Sequence, residues 1–278
     1  MEGTAMASLD TGTPDLLAQL DAGVLTITFN RPHARNAMSD AMNQALGRQL
    51  AAAELDPAVK CVVLTGAGQG FCAGGDVKGM NDRNAAGGRS ITIDEQIATQ
   101  RVNQRATAGK LFKMPKPTIA ALPGAAAGAG LSLALACDLR IMASSAFLTT
   151  AFAKVGLAGD YGGTYFLTQL VGSAKARELY FLSDRVTADE ALRLGLANWV
   201  VEPDELAART HEIAQRLAAG PAICFRYMKE NLNRAMGGEV DECLDLEATH
   251  HVHSGATADH KEAAAAFVEK RAPVFQGR

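Results

Sequence analysis

Apolar and β-branched positions alternate along Val24-Leu25-Thr26-Ile27-Thr28-Phe29, which predicts a strand that Asn30-Arg31-Pro32 ends. Ser39 is placed to cap a helix with Met42, Ala45, Leu46 and Leu50 on one face, and Asp56-Pro57 stops it. Cys61-Val62-Val63-Leu64 is a short apolar strand leading into the turn Gly66-Ala67-Gly68-Gln69-Gly70. The polar stretch Asn81–Ser90 reads as a mobile surface loop, and a helix is expected from about Asp94 to Phe112. Thr118-Ile119-Ala120-Ala121-Leu122 is another strand, Pro123-Gly124 turns, and Gly128-Ala129-Gly130 opens a helix running to Ala136. Leu139-Arg140-Ile141-Met142, Phe147-Leu148-Thr149 and Trp199-Val200-Val201 complete the strands, with a mostly helical period from Gly162 onward. Pro203 precedes the last helices. Strands and helices alternate and then helices dominate, the pattern of an α/β unit followed by a helical C-terminal region.

Composition narrows the function. The 278 residues are 48% apolar and 21% charged, as expected of a folded globular chain. A net charge of −3 and 5% aromatic residues argue against nucleic acid as a partner. The 20-residue uncharged stretch Thr118–Cys137 is interrupted by Pro123 and glycines, so it reads as strand, loop and helix and not as a membrane span. Five scattered cysteines without a Cys-x-x-Cys pair point to a reducing, cytoplasmic setting and against a zinc site. No basic residue precedes Arg31, so the N-terminus does not read as a signal peptide or a mitochondrial leader, and residues 1–13 are expected to form a flexible tail.

Two glycine-rich loops each follow a strand: Gly70-Phe71-Cys72-Ala73-Gly74-Gly75-Asp76 and Pro123-Gly124-Ala125-Ala126-Ala127-Gly128-Ala129-Gly130. Small residues let a ligand approach the backbone. The second loop also begins a helix, where unpaired N–H groups favour a negative oxygen. Two such loops aimed at one point would form an oxyanion hole, and tight strand–helix packing is the other reading of the same residues. Gly66-x-Gly68 suggests a dinucleotide fingerprint, but Phe71 stands where the third glycine belongs.

These residues, taken in order, resemble the crotonase, or enoyl-CoA hydratase/isomerase, superfamily. The resemblance covers nearly the whole chain. It runs through Asn30-Arg31-Pro32 with Asn36-Ala37-Met38, the first glycine loop, and Lys116-Pro117-Thr118-Ile119-Ala120-Ala121. It continues through Gly124-x-x-x-Gly128-x-Gly130, Ala136-Cys137-Asp138, Gly156-Leu157 and Gly162-Gly163-Thr164, then the tail Ala266-Phe267-Val268-Glu269-Lys270-Arg271-x-Pro273-x-Phe275. It implies a crotonase-like spiral of ββα units over residues 14–202. Residues 203–278 would be a helical region serving trimerisation and coenzyme A contact. It further implies an acyl-CoA thioester substrate, no cofactor beyond the coenzyme A of that substrate, no metal, and a homotrimer or dimer of trimers.

By motif position the resemblance makes the N–H groups of Ala73 and Ala129 the oxyanion donors. It places Arg31, Ala34, Phe267 and Lys270 at the coenzyme A end, although Lys270 and Arg271 also suit a helix C-terminus. Hydratases of the family carry two glutamates at positions that here hold Ser132 and Phe152. The carboxylate that remains is Asp160, at a position where double-bond-shifting relatives carry theirs. One acid–base group suffices to move a proton between the γ- and α-carbons, whereas hydration must deprotonate water and protonate carbon together. The favoured reading is therefore an acyl-CoA double-bond isomerase with Asp160 as proton carrier. The alternatives are a hydratase using Asp160 and Ser132, and a catalytically silent acyl-CoA-binding oligomer. Ser132, Phe152 and Tyr161 are possible substrate contacts, and Asp160 also reads as a turn or helix-capping residue. Asp76 reads as a helix cap, Cys72 as a buried small residue, and His250, His251 and His253 as a solvated patch.

Overall fold

The computed structural model describes residues 6–76, 79 and 92–278. The stretch expected to be a surface loop, 81–90, lies outside them. The strands are β1 (Ala7–Leu9), β2 (Leu16–Asp21), β3 (Val24–Phe29), β4 (Cys61–Gly66), β5 (Gly70–Cys72), β6 (Thr118–Leu122) and β7 (Ala125–Ala127), followed by β8 (Leu139–Ala143), β9 (Phe147–Thr149), β10 (Val186–Thr187) and β11 (Trp199–Val201). The helices are α1 (Asp40–Leu55), α2 (Ile93–Ala106), α3 (Ala108–Lys113), α4 (Ala129–Ala136), α5 (Gly163–Leu182), α6 (Ala188–Arg193), α7 (Leu206–Ala218), α8 (Ala222–Ala235), α9 (Val240–Gly255) and α10 (Ala258–Glu269).

Among the described residues the strands form two sheets, one ordered β1-β2-β3-β4-β6-β8-β11 and one ordered β10-β9-β7-β5. From β4 to β9 consecutive strands alternate between them. The units β4-β5, β6-β7 and β8-β9 each give one strand to either sheet before a helix returns the chain, which is the expected ββα spiral. β3, β4, β6, β8 and β11 run parallel. β6 is buried at every position, which its continuous run Thr-Ile-Ala-Ala-Leu foretells for a parallel strand covered on both faces. β5, β7 and β9 are also parallel, so their C-terminal ends emerge side by side.

Residues 7–13 are not a flexible tail. Ala7, Ser8 and Leu9 pair antiparallel with Leu20, Gln19 and Ala18. Thr11 is buried and donates to the Leu16 carbonyl at 2.7 Å. The exposed edge of β2 supplies a ladder that this short segment completes. The helix expected from Asp94 to Phe112 is two helices, broken at a buried Thr107 whose hydroxyl donates back to the Asn103 carbonyl. α1 is capped by Ser39, whose hydroxyl accepts from the Met42 N–H at 3.1 Å.

The C-terminal helices divide by packing. α7 lies against β4, β6 and β8, with Leu206, Ile213 and Ala214 buried. On α8 to α10 the apolar residues Leu232, Leu244, Val252 and Phe267 are exposed. The buried Lys229 ties α8 to the core: its Nζ donates to the Leu111 carbonyl at 2.9 Å and to Asp138 Oδ2 at 2.8 Å. His250 is buried, stacked on Tyr227 at 4.2 Å, with Nδ1 2.5 Å from Asn231 Oδ1. The histidines therefore do not form one solvated patch; only His251 and His253 are exposed. Among the described residues no helix is long and apolar enough to cross a membrane.

Candidate active site

The two glycine loops meet because β5 and β7 pair in parallel register. Gly74 carries φ +90, and a methyl on its Cα would stand 2.9 Å from the Ala127 carbonyl and 3.3 Å from the Ala129 nitrogen. Glycine is required there by both dihedral and space. Gly128 (φ 52, ψ −125) precedes α4, and Ala129 is the first helical residue, so its N–H has no intrahelical partner.

The expected second donor is displaced along the loop. The Ala73 N–H donates to the Arg35 carbonyl at 3.0 Å and is not free for a ligand. Met38 donates to the Gly74 carbonyl at 2.8 Å and forms a parallel bridge with Gly75. In an extended chain successive backbone groups point to opposite edges. The Gly75 N–H therefore faces away from Met38, toward the Gly128–Ala129 side. The pair Gly74-Gly75 carries the signal in the sequence, but only the position of Met38 tells which N–H is turned inward.

The turn from Asn30 to Asn36 buttresses this loop. Buried Asn36 donates from Nδ2 to the carbonyls of Ala67 (2.9 Å) and Gly70 (2.8 Å). Asp76 accepts from the Gly79 N–H at 2.9 Å, the expected cap, and also from both terminal nitrogens of Arg31 at 3.0 Å. Arg31 further donates to the Ala37 carbonyl at 2.6 Å and lies 3.6 Å from Asp15. Its guanidinium thus holds the loop in place.

Asp160 occupies the turn before α5, between Gly159 (φ 113) and Gly162 (φ 76). Its side chain does not cap the helix; its backbone carbonyl accepts from the Gly163 N–H at 3.0 Å. Oδ1 is buried and has no hydrogen-bond partner among the described residues. Burial pushes the carboxyl up to about 6. Around it lie Cys72, Tyr161 and Tyr180. Burial pushes the Cys72 thiol up to about 12, and the charge of Asp160 adds to this, so Cys72 is no nucleophile. Burial and then Asp160 raise both phenols above their ordinary range. Tyr161 is buried, at φ 49, and its N–H donates to Gln104 Oε1 of α2 at 2.6 Å.

Ser132 is buried one turn into α4, its hydroxyl 3.3 Å from the Gly128 carbonyl. Phe152 is buried and stacks on Tyr180 at 5.8 Å and 7°. Sequence reasoning missed Tyr180, which a full helix separates from Asp160 along the chain. A cleft of about 530 Å³ runs over the outer face of the smaller sheet, lined among others by Arg35, Gln69, Ala73, Ala127, Lys154 and Arg185. Ala34 neighbours the lining residue Arg35. Phe267 is 85% exposed and Lys270 ends α10 in the left-handed region, so within one protomer both lie on the surface of the helical region.

The loop N–H groups of Gly75 and Ala129, with a carboxyl whose buried Oδ1 has no partner among the described residues, suit enolate chemistry on a carbonyl compound. Comparison with known proteins agrees with this. A profile described as enoyl-CoA hydratase/isomerase matches residues 19–278. The chain belongs to the enoyl-CoA hydratase/isomerase family, within the crotonase superfamily. It is 38% identical over 263 residues to the 1,2-epoxyphenylacetyl-CoA isomerase of Escherichia coli, covering 95% of this chain and 98% of that one. It is 34% identical to the short-chain-enoyl-CoA hydratase of Clostridium acetobutylicum, covering 92% and 95%. The crystal structure of the enoyl-CoA hydratase from Bacillus anthracis superposes with a TM-score of 0.84 at 32% identity, covering 99% of this chain and 100% of that one. Enoyl-CoA hydratase/isomerase chemistry on an acyl-CoA thioester is thus this enzyme's class, and both activities occur among its relatives.

Proposed function

We propose that this enzyme shifts a double bond in an unsaturated or ring-derived acyl-CoA, with Asp160 carrying the proton. The observation that supports this most is Asp160 itself: a carboxyl whose buried Oδ1 has no partner among the described residues, pushed up by burial to about 6, able to take and return a proton near neutral pH. The Gly75 and Ala129 N–H groups hold the thioester oxygen. The carboxylate removes a proton from the γ- or the α-carbon, and negative charge passes to that oxygen. The resulting acid returns the proton at the other carbon. Each N–H donor is worth about 3 kcal/mol in the barrier. Ser132 and Phe152 bring no second carboxylate to activate a water.

The coenzyme A moiety would lie along the cleft over the smaller sheet, where Arg35, Lys154 and Arg185 offer charge to its phosphates. Phe267 and Lys270 would reach the same ligand from a neighbouring subunit of a trimer or dimer of trimers, which the exposed apolar residues of α8–α10 favour. The five free cysteines suit a reducing compartment such as the cytoplasm. The hydratase names among the relatives keep hydration as the second reading.

Mass spectrometry of short and medium enoyl-CoAs incubated in deuterated water separates the readings. Carbon-bound deuterium without added water is the expected result. A product heavier by one water would replace isomerisation by hydration.

A further inference from the structure

The turn that carries Asp160 is gripped by a side chain from another helix. Gly159 (φ 113), Tyr161 (φ 49) and Gly162 (φ 76) all have positive φ. The two glycines adopt such values freely. A tyrosine does not, because its Cβ crowds the backbone in the left-handed region. A residue keeps such a conformation where its surroundings over-determine it. The Tyr161 ring is buried in the core, and its N–H donates to Gln104 Oε1 at 2.6 Å. The Asp160 carbonyl accepts from the Gly163 N–H at 3.0 Å. That carbonyl and the Tyr161 N–H belong to one peptide unit. A peptide unit is a rigid plane that includes the Cα of the residue before it. Held at both ends, it fixes the Cα from which the Asp160 carboxyl projects.

The carboxyl depends on this hold. Its Oδ1 has no hydrogen-bond partner among the described residues, so the backbone beneath it sets its direction. Gln104 itself stands on a firm base. Residues 92–99 of α2 are exposed, whereas Asn103, Gln104 and Ala106 near its end are half-buried. A methyl on Gly47 of α1 would meet Ala106 Cβ at 3.3 Å, and buried Thr107 closes the helix by donating to the Asn103 carbonyl at 2.8 Å. An amide oxygen also suits the task electrostatically. It accepts the N–H without charge, whereas a carboxylate at that place would make Asp160 hold its proton more tightly.

We propose that Gln104 is a positioning residue for the proton transfer, aiming the Asp160 carboxyl by gripping the peptide unit between Asp160 and Tyr161. The inference rests on the reading of Asp160 as proton carrier and adds a residue of α2 to that machinery.

Two substitutions test it. Gln104→Met keeps the length of the side chain and removes the acceptor; Gln104→Glu keeps the acceptor and adds a charge. Turnover and carbon-bound deuterium exchange of 3-hexenoyl-CoA are followed against pH for both variants, the wild type and Asp160→Asn, per folded molecule read from urea denaturation. Gln104→Met should lose about tenfold to 10²-fold in kcat, the cost of a misplaced group, with KM held within about twofold. The titratable groups around Asp160 are Cys72 of β5, Tyr161 of the same turn and Tyr180 of α5, and burial raises all three, so they stay neutral. The pH midpoint of kcat/KM therefore reports Asp160. It should lie near 6 in the wild type and higher in Gln104→Glu, whose kcat well above that midpoint should return to within about threefold of wild type. Three results overturn the inference: wild-type kcat in Gln104→Met, a loss carried by KM alone, or a Gln104→Glu variant as slow as Gln104→Met with an unmoved midpoint. Asp160→Asn separates the two claims. If it exchanges like wild type, the isomerase reading falls and this inference with it. If it is inactive while Gln104→Met is fully active, Gln104 alone falls.

Discussion

Gly130 presses its Cα against the Cys72 backbone so closely that a methyl there would stand 2.4 Å from the Cys72 carbonyl oxygen and 2.7 Å from its Cβ. The first residues of α4 and the end of β5 are therefore interlocked, and the N–H groups of Gly75 and Ala129 inherit their spacing from that contact. Gly130→Ala forces the two loops apart. Overpacking of this kind costs about 1–3 kcal/mol. The same displacement should lower thioester turnover at least tenfold in the protein that remains folded, measured as kcat/KM beside a urea denaturation curve.

Asp160→Asn keeps the shape of the turn and removes the proposed proton carrier. Turnover and carbon-bound deuterium exchange should fall by about 10²–10⁴, with affinity for a saturated acyl-CoA retained. In the wild type the carboxylate must be ionised to act as base, so kcat/KM should rise with pH through about 6 and then level. A flat profile between pH 5 and 7 would remove Asp160 from the chemistry.

The same burial has a stability consequence of opposite sense. The folded-state pKa of Asp160 is about 6 against an ordinary 3.8, so the folded protein binds the proton more strongly than the unfolded chain. Its contribution to stability is complete below pH 3.8 and is lost as pH rises through 6. Asp160→Asn, permanently neutral, should therefore be more stable than wild type at pH 8 by about 2 kcal/mol and nearly equal to it at pH 4. Thermal melts of both proteins at the two pH values check this.

Much of this site is legible in the sequence, and the residues that are not have a common cause. The strands, the Ser39 cap and the Ala129 helix start follow from local pattern, because period, cap and glycine act within one turn or one strand. Asp160 is singled out only through the family resemblance, since nothing in its local pattern separates a proton carrier from a turn aspartate. Ala73 fails as a donor because the direction of an N–H depends on which neighbour pairs with the loop, and here Arg35 and Met38 take one edge and leave Gly75 on the other. Tyr180 is invisible locally, since the return of α5 toward its own N-terminal turn is what carries its phenol to Asp160. Residues 7–9 look structureless alone and become a strand only on the edge of β2.

The attachment of α8 to the core rests on Lys229. Asp138 Oδ2 accepts from the Thr118 N–H (2.7 Å), the Thr118 hydroxyl (2.8 Å) and Lys229 Nζ (2.8 Å). Lys229→Met fills similar space but leaves the carboxylate and the Leu111 carbonyl short of a donor. Breaking a buried pair from one side typically costs about 3 kcal/mol. The loss should appear as a lower urea midpoint, with deuterium exchange per folded molecule unchanged.

Ala129→Pro isolates one oxyanion donor without a side-chain change in charge. Proline is well tolerated at the first helical position, where its missing N–H has no intrahelical partner. Proline usually constrains the preceding residue to extended backbone. Here that residue is Gly128 at φ 52 and ψ −125, the mirror image of a polyproline conformation, which glycine alone adopts freely and which accommodates a following proline. The fold should therefore survive with a melting temperature close to that of wild type. The thioester oxygen would lose one of its two proposed N–H partners, and kcat should fall by about 10²–10³. A variant that melts like wild type and turns over at the wild-type rate would show that the Ala129 N–H does not touch the developing negative charge.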